Sequence, residues 1–129
     1  MAHRAKKIVY DYIKSLKIPS CDVYLEQPQI VGNQENRQKS YITIGFPNGI
    51  DDHGAFISGT GVIAIGTKDK KDTLGLPNEL EMQRIEQKLK SAFPYLTNNC
   101  SIIDFEFSSD EGAGIGWKEY YYTFRIYIN

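Results

Sequence analysis

The spacing of apolar residues predicts a helix at the beginning of the chain. Apolar side chains recur every three or four positions, as they do on one side of a helix, at Ala5, Ile8, Val9, Tyr12, Ile13 and Leu16. The pattern ends at Ile18-Pro19, because the residue before a proline disfavours helical geometry. We therefore expect a first helix from about Ala2 to Lys17. Its other side is locally basic, with Arg4, Lys6, Lys7, Lys14 and Lys17 against Asp11.

After Pro19 the pattern changes to the alternation that is typical of extended strands. Val23 and Leu25 alternate in a first short piece. Tyr41 to Phe46 alternates in a second piece, which ends at the turn residues Pro47-Asn48-Gly49. Between these pieces, the segment from Gly32 to Lys39 is polar, so we expect a solvated loop there.

The middle of the chain predicts a long strand and then a second helix. Ala55 to Thr67 is rich in β-branched residues and is broken by Gly59 and Gly61, which indicates a strand bent at a bulge and antiparallel to the strand before it. Asn78 precedes Glu81 with the spacing of a capping box. The helical stripe that follows consists of Met82, Ile85, Leu89, Ala92 and Phe93, and Pro94 ends it.

Two further strands are predicted at the end of the chain. Ile103, Phe105 and Phe107 alternate with acidic residues, and a glycine-rich connection follows from Ser108 to Gly116. The final strand, from Trp117 to Ile128, carries aromatic residues on both sides. We predict that Tyr122, Phe124 and Ile126 form its core side, and that Tyr121, Arg125 and Tyr127 face a neighbour or stay exposed.

This order of elements indicates an α+β fold in which a mostly antiparallel mixed β-sheet is flanked by two α-helices. The chain has 129 residues, of which 41% are hydrophobic, and this is enough to bury one core. We find no repeat and no long linker in the sequence. We therefore treat residues 1–129 as a single domain.

Charge and hydropathy exclude several classes of function. The formal net charge is -1, which gives no overall attraction to nucleic acid or to acidic membranes. The apolar stretches are far shorter than the roughly 18–20 residues that cross a bilayer, and the N-terminus lacks the continuous apolar core of a signal peptide. We expect a soluble intracellular protein. Cys21 and Cys100 then read as two buried free thiols, although the sequence leaves a disulfide open.

The sequence gives little support for catalysis. Asp51-Asp52-His53 could bind a metal ion or exchange a proton, but it follows a turn sequence and precedes Gly54, so it reads as hairpin geometry. Gly112, Gly114 and Gly116 resemble a phosphate loop, but a strand follows them where a helix would be needed. No Ser or Cys lies in a nucleophile context. We therefore predict no enzyme, no catalytic residue, no metal and no cofactor.

The aromatic final strand is the main candidate for an interaction surface. Both of its sides carry large side chains and its edge could be free to pair, while aromatic residues are enriched at association sites. An ordinary two-layer core explains the same pattern equally well. If the strand and the polar loops do form a subunit or partner interface, the residues that we expect in it are Tyr121, Arg125, Tyr127, Asp110, Glu111, Trp117, Arg37 and Lys39.

The order of elements resembles that of tail terminator proteins of long-tailed bacteriophages. The resemblance covers most of the chain: the N-terminal helix that ends near Pro19, the strand at Tyr41, the long strand through Ile65, the second helix and the final strand. The closest similarity is the run Asp110-Glu111-Gly112-Ala113-Gly114-Ile115-Gly116-Trp117, followed by the strand from Tyr120 to Ile128. It is similar to the late loop and last strand of that family.

The resemblance implies a non-catalytic structural protein of a phage or prophage tail. Members commonly form a hexameric ring on the end of the completed tail tube, stop its polymerisation and present a surface to the head-side connector proteins. Related neck and tail-completion proteins share the fold type. The implied partners are further copies of the chain, the tube protein and the connector, with DNA only passing through the ring lumen. The implied location is the virion tail, or the host cytoplasm during assembly.

Two other functions remain open on the sequence alone. A small cellular binding module, which could bind RNA, would use the open face of the sheet together with the basic first helix. A metal-dependent enzyme would use Asp51, Asp52 and His53. Salt-sensitive binding of single-stranded RNA would favour the first of these alternatives, and binding of a divalent ion would favour the second.

Overall fold

The computed structural model describes residues 2–25, 39–69, 78–112 and 116–129. These ranges contain two helices and seven strands, which are α1 (Ala2–Ser15), β1 (Cys21–Leu25), β2 (Ser40–Gly45), β3 (Ile50–Asp52), β4 (Ile57–Lys68), α2 (Glu79–Ala92), β5 (Tyr95–Leu96), β6 (Cys100–Gly112) and β7 (Trp117–Ile128). Neither of the helices in these ranges has the length and hydropathy that a membrane span requires.

The strands form one mixed sheet in the order β1-β2-β4-β7-β6-β5. Strand β1 runs parallel to β2, and the other described pairs are antiparallel. Strand β3 pairs with the beginning of β4, so β2 and β3 lie along one side of β4 and β7 lies along its other side. This architecture confirms the predicted α+β class, with a mostly antiparallel mixed sheet and two helices.

Both helices pack against the same face of the sheet. The apolar core takes one stripe from each helix, with Ala5, Val9 and Ile13 from α1 and Met82, Ile85 and Leu89 from α2. Alternate side chains of β2, β4 and β7 supply much of the rest, among them Ile42, Ile44, Ile63, Ile65, Tyr122, Phe124 and Ile126. Tyr122, Phe124 and Ile126 of β7 are fully buried, which confirms the prediction for these three residues.

Because side chains alternate along a strand, the residues between these core positions point to the other side of the sheet. We call this side, turned away from both helices, the open face. Its side chains along the three central strands include Thr43, Val62, Ala64, Glu119, Tyr121, Thr123 and Arg125.

The helix ends follow local chemistry. Helix α1 stops at Ser15, two residues before the predicted end, and Lys17 has a φ of 50°. Helix α2 begins as predicted, because Asn78 Oδ1 accepts the backbone N–H of Glu81 at 3.2 Å. The carboxylate of Glu81 pairs with Arg84 one turn further on.

Strand β4 corrects the prediction of a bulge. Its ladder with β7 runs from Ile57 to Lys68 without a register shift. The predicted antiparallel pairing with the preceding strands is confirmed. The glycine at position 61 serves close packing, because a Cβ there would overlap the ring of Phe124 directly across the ladder.

Strand β6 is longer than predicted. Ser108 to Gly112, which the sequence assigns to a connection, continues the strand and pairs with β7 as far as Lys118. Residues 113–115 of the predicted connection lie outside the described ranges. The polar composition misled the prediction, since a strand that pairs with β7 on one side can carry solvated side chains.

Register shifts also break the predicted alternation of β6. The first shift comes after Ile103, where Asp104 adopts a φ of 57°. As a result Ile102, rather than Ile103, is fully buried, and Phe107 is 52% exposed. The prediction that Ile103, Phe105 and Phe107 alternate regularly along one face is therefore wrong.

Strand β7 lies in the middle of the sheet, between β4 and β6. Hydrogen-bonded ladders follow both of its sides, from Trp117 to Ile128 with β4 and from Lys118 to Ile128 with β6. The expectation that its edge is free to pair is therefore wrong. A contact that β7 makes with another molecule has to use side chains of the open face.

Cys21 and Cys100 form no disulfide bond, and of the two thiols that were predicted to be buried only that of Cys100 is. Cys100 is buried at the start of β6, whereas Cys21 on β1 is half-buried. Burial raises the pKa of the Cys100 thiol, and the nearby charge of Arg4 opposes this shift in part.

Candidate functional site

The residues of β7 that the sequence assigns to an interface differ in their surroundings. Arg125 is exposed on the open face, and its guanidinium lies 5.5 Å from the ring centre of Tyr127. Tyr121 and Tyr127 are half-buried. Trp117 is only 3% exposed and packs against Tyr41, with ring centres 5.6 Å apart. Trp117 therefore offers little surface to a partner in this conformation.

The remaining interface candidates lie on other elements. Asp110 and Glu111 are exposed on β6, and Asp110 pairs with Lys118 at 3.4 Å. Lys39 precedes β2 and lies 4.0 Å from the carboxylate of Asp22. Arg37 lies outside the described residues. The described members of the predicted set do not form one cluster, because Glu111 lies opposite Glu119 and beside Tyr121, whereas Asp110 pairs with Lys118 and Lys39 lies beside Asp22.

The Asp51-Asp52-His53 segment spans the end of β3 and the turn after it. Asp52 Oδ1 accepts the backbone N–H of Gly54 at 2.9 Å, and the His53 ring stacks on Phe56. His53 Nε2 lies 2.9 Å from the hydroxyl of Ser58. Within the described ranges, no group of three or more His, Cys, Asp and Glu residues is arranged to hold a metal ion.

A buried carboxylate on the open face was missed by the sequence analysis. Glu119 is 4% exposed and accepts two phenol hydrogen bonds, from Tyr41 at 2.7 Å and from Tyr121 at 2.6 Å. Strand alternation could have revealed it, because Glu119 is the acidic residue between the aromatic residues Trp117 and Tyr121 on this side of β7. A charged side chain at an otherwise apolar position marks a special environment.

The environment of Glu119 also changes the pKa of Tyr121, which contacts it. Burial raises the pKa of Tyr121, and the hydrogen bond to the Glu119 carboxylate and the charge of that group raise it further. On the helix side, burial likewise raises the pKa of Tyr122, whose hydroxyl donates to Glu86 of α2. Both phenols therefore stay protonated at pH values well above the ordinary pKa of tyrosine.

A shallow groove lies beside Glu119 on the open face. Its volume is about 230 Å³, and its lining consists of Thr43, Ile44, Gly45, Pro47, Val62, Ala64, Glu119 and Tyr121. Pockets for small organic ligands usually measure about 300–1,000 Å³, so this groove suits one long side chain better than a cofactor. Its floor is mostly apolar, and the carboxylate and the phenol supply its polar groups.

Comparison with known proteins gives no family assignment. No protein-family model matches the sequence, and no curated protein matches it. The observations that bear on function are the order of the elements and the surfaces described above.

Proposed function

We propose that this chain is a non-catalytic structural protein of a phage or prophage tail, whose copies form a ring that caps the tail tube and joins it to the head-side connector. The observation that carries the proposal is the open face. It presents the exposed Arg125, the half-buried Tyr127 and a side-chain-sized groove on the central strands of the sheet. Aromatic residues and arginine are the residue types enriched at protein interfaces.

The order of elements supports the same proposal. Helix α1 comes before Pro19, the long strand β4 precedes α2, and the aromatic strand β7 is last. This is the order on which the resemblance to tail terminator proteins depends. The protein would accordingly occur in the virion tail, or in the host cytoplasm during assembly.

Ring closure needs contacts between two different surfaces of neighbouring copies, because a surface that pairs with itself produces a closed dimer. The part of β6 that β5 does not cover, which follows Ile102, is poorly suited to edge pairing. It carries register shifts and the exposed acids Asp104, Glu106, Asp110 and Glu111. Bulges and charges of this kind prevent sheets from joining edge to edge. We therefore assign the subunit contact to the open face rather than to an edge.

The test is the absolute mass of the wild-type chain in solution, measured by light scattering over a concentration series with and without Mg²⁺. We expect a discrete oligomer, such as a hexamer. The fraction of chains in this oligomer should rise with protein concentration by mass action. Removing side chains of the open face with Arg125→Ala and Tyr127→Ala should weaken this oligomer without unfolding the chain. Lys88→Ala, on the exposed side of α2, is the matched control. A strict monomer, even in the presence of purified tail tube, contradicts the proposal.

A second candidate function is supported by α1. Its exposed side carries Arg4, Lys7 and Lys14, and Lys17 follows the end of the helix; these side chains could contact phosphates of single-stranded RNA. Binding of this kind weakens steeply as salt increases. RNA binding that is lost in Lys7→Glu and Lys14→Glu, together with a monomeric wild type, would favour this function over the ring.

A further inference from the structure

We propose that the groove on the open face receives the end of α1 from a second copy of the chain, and that Lys14 or Lys17 of that copy pairs with Glu119. This inference depends on the proposed ring and identifies the contact that would close it.

The groove has the dimensions and the lining for one lysine side chain. Its volume of about 230 Å³ is too small for most cofactors, and Gly45, Val62 and Ala64 leave space above the strands. A lysine can lay its four-carbon stem along such an apolar floor while its ammonium reaches a polar group. In this groove the polar groups are the Glu119 carboxylate and the Tyr121 hydroxyl.

Among the described residues, no cation of the same chain pairs with the charge in the groove. Glu119 accepts hydrogen bonds from two neutral phenols, and no Lys or Arg pairs with it in the described part of the chain. A carboxylate has about four lone-pair sites, so two phenols leave room for a further donor. Buried charges in proteins are usually paired, and an incoming ammonium would complete the pair.

The end of α1 supplies suitable cations. Lys14 lies in the last turn of α1, Lys17 follows the end of the helix, and both side chains are exposed. Lys14 donates to the Tyr10 hydroxyl at 3.0 Å, and Lys17 has no ion-pair partner among the described residues. Lys7 is less suitable, because Asp11 already pairs with it at 2.7 Å.

The positions of the two surfaces favour a ring over a dimer. Helix α1 packs on one face of the sheet, and the groove lies on the other. A contact from helix to groove therefore uses two different surfaces, and it leaves an unused groove on one copy and an unused helix on the other. Repetition of such a contact closes a ring when the rotation between copies allows it.

The experiment measures assembly of the full chain by sedimentation velocity. Glu119→Gln keeps the size of the side chain and can still bond both phenols, but it removes the charge. We expect it to raise the concentration needed for half assembly at least about tenfold, and we expect Lys14→Glu combined with Lys17→Glu to do the same. The matched controls are Asp104→Asn, an exposed acid at the first register shift of β6, and Lys88→Glu on α2, which should assemble like the wild type.

Mixing the two defective variants gives a sharper test. The variant with both Lys14→Glu and Lys17→Glu, called the lysine variant, keeps an intact groove, which can bind the intact helix of Glu119→Gln. No further contact is then available, because the remaining helix and the remaining groove are both defective. We expect the mixture to form pairs of chains, although each variant alone stays monomeric.

The outcomes separate this contact from the ring itself. A ring that persists in Glu119→Gln or in the lysine variant overturns the contact and leaves the ring in place. Loss of assembly in Arg125→Glu but not in the lysine variant would identify Arg125 as the occupant and also overturn it. A wild-type chain that never assembles, with or without tail tube, overturns the ring and the contact together.

Discussion

The aromatic ring of Tyr41 fills the space above Gly66, which lies directly across the ladder between β2 and β4. A Cβ added to Gly66 would overlap three carbons of that ring. The position of the ring fixes the hydroxyl of Tyr41 at 2.7 Å from Glu119 on β7. The absence of a side chain at one position therefore supports a hydrogen bond that joins β2 to β7 across the intervening strand.

We predict that Gly66→Ala destabilises the chain by about 1–3 kcal/mol, because the added methyl group must displace the Tyr41 ring. Urea unfolding followed by circular dichroism measures this change. The matched control is Gly45→Ala in β2, where an added Cβ would have no neighbour within 4 Å. The control should change the free energy of unfolding by less than about 1 kcal/mol. Equal effects at the two positions would contradict the packing argument.

A second prediction concerns the buried carboxylate. Glu119→Ala removes the acceptor of two phenol hydrogen bonds, so we expect the free energy of unfolding to fall by about 1–3 kcal/mol. Glu111→Ala is the control, because Glu111 lies directly opposite on β6 but is exposed. Its effect should stay within about 0.5 kcal/mol. A small effect at Glu119 would show that the carboxylate is dispensable for the fold.

The patterns that depend on local periodicity were predicted well. Alternation identified the core side of β7, and the Asn78 cap located the start of α2, because both follow from backbone geometry within a few residues. The order of the strands does not follow from local geometry. The central place of β7 arises from pairing with β4 and β6, which are distant in sequence, so its edge was wrongly expected to be free.

The candidate site was predicted only in part for the same reason. Tyr121 and Arg125 were correctly placed on the side of β7 away from the core, since alternation determines the face. Glu119 was missed, because its burial depends on Tyr41, which lies 78 residues earlier in the chain. Trp117 was expected at an interface, but contact with the same tyrosine helps to bury it.

A third prediction concerns the start of α2. Asn78→Ala removes the side chain that accepts the N–H of Glu81, and caps of this kind contribute about 1 kcal/mol. We expect a loss of that size in urea unfolding. Asn98→Ala, in the exposed turn before β6, serves as the control and should have an effect below about 0.5 kcal/mol. If both variants unfold at the same urea concentration, the cap does not stabilise the helix.

The fourth prediction is a loss of stability at alkaline pH. Burial, assisted by the hydrogen bond to Glu86, raises the pKa of Tyr122, so the folded chain keeps the phenol protonated where the unfolded chain ionises it. This contribution is fully present below the ordinary tyrosine pKa of about 10 and is lost as the pH rises above it. The free energy of unfolding should therefore fall by about 1.4 kcal/mol for each pH unit above 10 from this phenol alone. Urea unfolding at pH values from about 9 to about 11 measures the slope, and Tyr122→Phe should make it shallower. Identical slopes in the wild type and the variant would show that Tyr122 does not cause the alkaline loss.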